Sequence, residues 1–256
     1  MKILRTRSEW EAERTRAESL RDGSVSIGLV PTMGALHEGH LSLVRRCKAD
    51  NAVTVVSIFV NPTQFNNKAD LDTYPVSFER DCALLEAAGV DYLFAPDYAE
   101  MYPDGYRYRI GETEESRALC GASRPGHFEG VLTVVLKLLS LFAPDRAYFG
   151  EKDYQQYSLI KGMADAFFLK AEIVPCPLVR ESSGLAMSSR NRRLSPEGLK
   201  IAPLFYRALA SERNAAETRR QLEADGFSVD YIEERSGRLF GAVFLEGVRL
   251  IDNVKR

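Results

Sequence analysis

Residues 25–30, Val-Ser-Ile-Gly-Leu-Val, run without a break into Pro31-Thr32-Met33-Gly34-Ala35-Leu36-His37-Glu38-Gly39-His40. The first six residues read as a buried strand. The pattern after His40, with Leu41, Leu43, Val44 and Cys47 among polar residues, reads as a helix. A strand that turns directly into a helix presents unpaired N–H groups and the positive end of the helix dipole, which suits phosphate. Gly34 and Gly39 allow close approach of the backbone to a ligand. His37 and His40 are three residues apart, so within one helical turn both imidazoles can face the same ligand and donate to phosphate oxygens. Two of the chain's three histidines fall in this turn. The spacing His-Glu-Gly-His is not the metalloprotease pattern, and no nearby cysteine or third histidine completes a zinc site. The chain also lacks the Walker and dinucleotide glycine fingerprints.

Downstream, strand and helix patterns alternate. Residues 53–60 are apolar at nearly every position, as a strand buried on both faces requires. Residues 78–88 read as an amphipathic helix stopped at Gly89, and 92–95 as a short strand closed by Pro96. Residues 131–142 form a buried helix pattern whose only charge is Lys137. A strand over 146–149, a helix over 154–166 and a strand over 171–174 follow. This alternation predicts an α/β fold, a Rossmann-like and mostly parallel sheet covered by helices. Right-handed crossovers then gather the loops after the strand C-termini on one edge, where such folds bind ligands. The pattern changes after Pro175-Cys176-Pro177. A polar loop (180–193) leads to a helix that Ser195 caps and Pro196 opens. Short strands are expected over 229–233 and within 241–252, with a turn at Glu246-Gly247. The expected division is a larger domain of residues 1–177 and a smaller α+β domain of residues 178–256.

Four further segments carry polar groups at strand ends or in loops. Asn61 and Gln64 follow the strand over 53–60; their amides both donate and accept, which suits a hydroxylated small substrate or the capping of a turn. Arg124 precedes the buried helix, and guanidinium and helix N-terminus could both address an anion or simply form a turn. Gly150-Glu151-Lys152-Asp153 again follows a strand and opens a helix. Lys152 can neutralise phosphate, and Asp153 can cap the helix or hold a ribose hydroxyl. Met187-Ser188-Ser189-Arg190 lies in the polar loop and suits a lid that orders over a triphosphate and excludes water.

Bulk properties bound the function. The 256 residues carry a net charge of −2 and 45% hydrophobic residues, ordinary for a soluble globular protein. Nothing in the totals marks a general nucleic-acid binder. No apolar run approaches the roughly 20 residues that span a bilayer, and the charged N-terminus has no signal-peptide core. The scattered cysteines, Cys47, Cys82, Cys120 and Cys176, contain no CxxC pair and fit a reducing cytoplasm.

The early HxGH and late Met-Ser-Ser-Arg segments resemble the paired signatures of the nucleotidyltransferase and class I aminoacyl-tRNA synthetase superfamily. PTMGALHEGH, FVNPTQF, GHFEGV, FGEKDYQQ and AMSSRN, in this order, closely resemble the pantothenate synthetase family, from about residue 25 to 195 and again at Arg249–Asn253. The resemblance implies an ATP-dependent ligase that adenylates (R)-pantoate and passes it to β-alanine, releasing AMP and pyrophosphate, with Mg2+ as cofactor and a homodimer as assembly. It places Met33, Gly34, Ala35, Leu36, His37, Glu38, Gly39 and His40 at the ATP phosphates, His40 at the position usually assigned as proton donor. Gln64 and Gln156 would hold pantoate with Asn61 nearby, and Arg124 joins this substrate set. Gly150, Glu151, Lys152 and Asp153 resemble the adenosine segment, with Lys152 reaching the phosphates. Val179 lines the adenine pocket, and Met187, Ser188, Ser189 and Arg190 form the lid. Asp81 aligns with a residue implicated in holding magnesium. The stretch between Tyr231 and Arg249 looks shorter than in the family, so the small domain is expected to lack an element.

Overall fold

The computed structural model describes residues 1–19 and 25–256. Strands β1 (Lys2–Leu4), β2 (Ile27–Thr32), β3 (Val53–Ile58), β4 (Tyr92–Phe94), β5 (Arg146–Gly150) and β6 (Glu172–Cys176) form one sheet in the order β1-β4-β3-β2-β5-β6. Every pair in it is parallel. β3 is buried at five successive positions, which explains its mostly apolar sequence. From β2 the chain winds outward to β3 and β4, then returns past β2 to β5 and β6. The order therefore reverses between β2 and β5, where Gly28 and Leu29 pair with Arg146 and Ala147. Ligand crevices of open α/β sheets form beyond the strand ends at such a reversal.

The helices are α1 (Arg7–Ser19), α2 (Glu38–Asp50), α3 (Lys68–Asp72), α4 (Phe78–Ala87), α5 (Tyr98–Met101), α6 (Cys120–Ser123), α7 (His127–Phe142), α8 (Tyr154–Ala166), α9 (Pro196–Ile201), α10 (Pro203–Leu209) and α11 (Ala215–Ala224). The polar N-terminal stretch, which periodicity leaves unassigned, supplies β1 and α1. Few of its residues are apolar, but Leu4 and Trp10 are fully buried, and the Trp10 indole N–H donates to Leu141 O at 3.1 Å. Ser195 caps α9 as expected, its hydroxyl accepting Gly198 N–H.

The C-terminal part is a three-stranded antiparallel sheet, β7 (Ser228–Arg235), β8 (Arg238–Leu245) and β9 (Val248–Lys255). Glu246-Gly247 makes the expected turn, and Ser236-Gly237 makes a second. Both residues of each turn have positive φ, the two-residue geometry that matches strand twist. This sheet has its own core of Phe205, Leu209, Leu222, Leu239 and Val243. Tyr231, Phe240 and Ala242 instead join the core of the large sheet.

Candidate active site

The turn after β2 is pinned from below. Asp81, on α4, accepts Ala35 N–H at 2.7 Å with one carboxylate oxygen and Leu36 N–H at 2.9 Å with the other. The Ser77 hydroxyl adds a third donor at 3.1 Å. These bonds hold Gly34 and Ala35 in left-handed conformations. Asp81 is 1% exposed and does not line the cleft. Both of its oxygens accept backbone N–H groups under the turn, which accounts for the buried carboxylate without a metal. Gly34, Ala35 and Leu36 likewise lie off the cleft, and Glu38 pairs outward with Arg45.

His37 and His40 meet at the start of α2, ring centroids 4.1 Å apart. His37 Nδ1 accepts Gly39 N–H at 3.1 Å, and His40 Nδ1 accepts His37 N–H at 3.4 Å. Each Nδ1 is thus an acceptor, which puts the proton of each neutral ring on Nε2. Burial pushes His37 down to about 3, with His40 and Lys152 adding to it, and His40 down to about 4. Both are neutral donors near pH 7. A nearby polyphosphate would raise their basicity as its charge develops.

The opposite wall is the turn at Asn61–Gln64. Asn61 is 1% exposed. Its amide donates to Gln64 Oε1 and Gly130 O, both at 3.2 Å, and its oxygen accepts from Thr63 and Tyr102 hydroxyls at 2.9 Å. Asn61 is therefore spent on protein partners and serves to orient Gln64. The Gln64 amide nitrogen keeps only a weak contact at 3.1 Å, to Met33 Sδ. Gly130 makes this packing possible: a Cβ there would lie 2.6 Å from the Thr63 carbonyl. Along α7, Val131, Val134, Val135 and Leu138 give the cleft an apolar floor.

The third side follows β5. Gly150, Lys152, Asp153 and Gln156 line the cleft, while Glu151 turns away to Arg238 at 2.8 Å. Burial would raise the Asp153 carboxyl, but Lys152 and Arg190 hold it below the usual range. The Gln156 side chain makes no hydrogen bond to the described residues, whereas that of Gln155 is used up on Ala118 and Glu115 carbonyls and Cys120 N–H. Asn253, on β9, donates to the carbonyls of Glu151 and Lys152 at 2.8 and 3.1 Å, tying the small sheet to this turn.

Val179, Met187, Ser188, Ser189 and Arg190 close the cleft, a cavity of about 220 Å³. Arg124 lies apart from it, beside a smaller cavity shared with Lys152, Asp153 and Arg190. It donates to His127 Nε2 at 3.0 Å and has no carboxylate partner among the described residues. Burial and Arg190 push it down to about 10. His127 in turn bonds Gln64 O at 2.9 Å through Nδ1, a role nothing in its sequence context separates from a helix start. Sequence reasoning also passed over Tyr74, whose hydroxyl lies 3.4 Å from Ser189 Oγ, and Asp70, because the polar run around 66–72 reads as solvated surface.

The family model of pantoate–β-alanine ligase matches residues 2–255. A pantothenate synthetase of Bdellovibrio bacteriovorus is 51% identical over 99% of this chain and 98% of its own length. One from Coxiella burnetii is 47% identical over 99% and 96%. The crystal structure of pantoate–β-alanine ligase from Francisella tularensis, complexed with β,γ-ATP and β-alanine, superposes with a TM-score of 0.94 at 43% identity, covering 100% of this chain and 97% of that one. The chain thus spans nearly the whole length of each of these proteins. Matched from end to end by the family's model and by relatives of equal length, the chain belongs to the pantoate–β-alanine ligase family.

Proposed function

We propose that this protein joins (R)-pantoate to β-alanine in two steps within the cleft described above. As a member of its family it is an acid–amine ligase that uses ATP. In the first step the pantoate carboxylate attacks the α-phosphorus and pyrophosphate leaves. In the second the β-alanine amine attacks the acyl carbon of pantoyl adenylate and AMP leaves.

The observation that carries the site reading is the convergence of neutral Nε2–H donors, Lys152 and the Ser188–Arg190 segment on one cleft whose far end is apolar and amide-lined. His37, His40 and Lys152 stabilise charge moving onto the leaving diphosphate, and Ser188, Ser189 and Arg190 cover it. Gln64 and Gln156 take the pantoate hydroxyls, and the valines of α7 take its geminal methyls. Met33, Gly39, Gly150, Asp153 and Val179 surround the nucleoside. No protein nucleophile takes part; positioning and charge stabilisation supply the rate. The closed loop keeps water from the acyl adenylate. Magnesium enters with ATP, and Asp81 does not hold it. Arg124 faces the β-alanine carboxylate from the side cavity.

The reading divides the chain at residues 177/178 and takes a cytoplasmic homodimer formed through the larger domain as the working assembly. Among the described residues no helix is long and apolar enough to cross a membrane. The decisive experiment uses pantoate labelled with 18O in its carboxylate. One label should appear in AMP, and pyrophosphate release should require pantoate. Unlabelled AMP from a turning-over sample would eliminate the adenylate.

A further inference from the structure

Two arginines of the loop that closes the cleft share one carboxylate. Asp70, on α3, accepts from Arg190 Nη2 at 2.8 Å with Oδ2 and from Arg193 Nη1 at 3.0 Å with Oδ1. Both arginines belong to the short turn Ser189–Arg193. Asp70 stands 120 residues away in sequence and lines the smaller side cavity together with Arg190. Arg190 makes no other side-chain hydrogen bond to the described residues, so its Nε and Nη1 donors remain uncommitted while the guanidinium lines the cleft. Tyr74 braces the same loop, with Arg190 stacked 5.7 Å above its ring. All three members are partly shielded: the side chains of Arg190, Arg193 and Asp70 are 22%, 33% and 25% exposed. Burial would raise the Asp70 carboxyl, yet the two arginines hold it below the usual range.

We propose that Asp70 is the latch of the arginine loop: it grips Arg190 by one nitrogen and Arg193 by another, shuts the loop over the cleft without a ligand, and aims the remaining Arg190 donors at the polyphosphate. The fork geometry of guanidinium allows this double use, whereas a lysine ammonium would have to choose. Asp70 is a positioning residue, acting through Arg190. Its effect on turnover rests on the functional reading above; its hold on the loop does not.

The test uses Asp70→Asn and Asp70→Glu in the full-length protein, with Asp72→Asn as a control on the same helix. Trypsin needs an extended segment, so cleavage after Arg190, Arg192 and Arg193 reports opening of the 3-10 turn. In the absence of nucleotide, Asp70→Asn should be cut there about tenfold faster than the parent, the loss expected for two partly exposed ion pairs, with other sites unchanged. Asp72→Asn should match the parent, and Asp70→Glu should recover most of the protection. In steady-state assays Asp70→Asn should raise KM for ATP about tenfold with KM for pantoate unmoved. Parent-like cleavage of Asp70→Asn, or acceleration spread evenly over all sites, overturns the latch. Failure of a non-hydrolysable ATP analogue to slow cleavage in the parent would count against the nucleotide reading and leave the ligand-free result standing.

Discussion

Replacing Gly130 by alanine tests the idea that catalysis depends on how closely α7 packs under the amide turn. The added Cβ would lie 2.6 Å from the Thr63 carbonyl carbon and oxygen and 2.7 Å from Gln64 Cα, all backbone atoms. Ordinary contact begins near 3.4 Å, so helix and turn must separate by about 0.8 Å. No flexible side chain is there to give way. The separation stretches the Asn61–Gly130 O bond, now 3.2 Å, beyond hydrogen-bonding range and carries Gln64 with it. Overpacking of this kind costs about 1–3 kcal/mol of stability. A misplacement near 1 Å costs about a hundredfold in rate. The expected outcome is a folded variant whose kcat/KM for pantoate falls about a hundredfold while KM for ATP hardly moves, since His37 and His40 stand on the other wall. Urea unfolding and initial-rate kinetics with each substrate varied in turn provide the readouts. A folded Gly130→Ala protein with pantoate kcat/KM within about threefold of the parent would refute the reasoning.

Three more outcomes follow from the geometry. His40→Ala and Lys152→Ala should each leave the melting temperature nearly unchanged and slow pantoate-dependent pyrophosphate release about a hundredfold or more; near-parent rates in both would remove them from the site. Asp81→Asn should lose roughly 2–3 kcal/mol of stability, because an amide cannot accept at both ends of the turn, while the magnesium dependence of ATP binding stays put; a shifted magnesium requirement at unchanged stability would reinstate the metal role. Burial holds the His40 imidazole down to about 4, below its ordinary 6.5, so the unfolded chain takes up the proton first as pH falls. Stability present above pH 6.5 is therefore lost between 6.5 and about 4, by something on the order of 2–3 kcal/mol. His40→Asn should remove that share of the fall in urea midpoint between pH 7 and 4.5 while buried His37 and His127 keep theirs, and an unchanged slope would show that His40 titrates normally.

Much of this molecule is legible in its sequence, and the reason is local. The mostly apolar, β-branched run at 53–58 reads as a strand buried on both faces, and the stretch from Val30 to His40 writes a strand, a turn and a helix start within a few residues of one another. Groups that act within a helical turn of one another, such as His37 and His40, need no tertiary knowledge to be paired. Other parts were beyond reach. β1 and α1 are polar by composition and exist because Leu4 and Trp10 find places in a core built by distant segments. Asn61 lines the cleft, as its place after a strand suggests, but its amide is also bonded to Gly130 and Tyr102, 69 and 41 residues away. Asp81, which resemblance alone ties to magnesium, accepts two backbone N–H groups of the turn about 46 residues before it. Asp70 sits in a stretch that reads as solvated surface until the fold brings two arginines to it. Sequence pattern determined the elements, the class of sheet and the cleft's chemical inventory, since hydrophobic period and turn chemistry act over a few residues. Only the tertiary structure decided which polar groups face a ligand and which are already satisfied, because a hydrogen bond depends on an approach of about 3 Å that long-range packing alone creates.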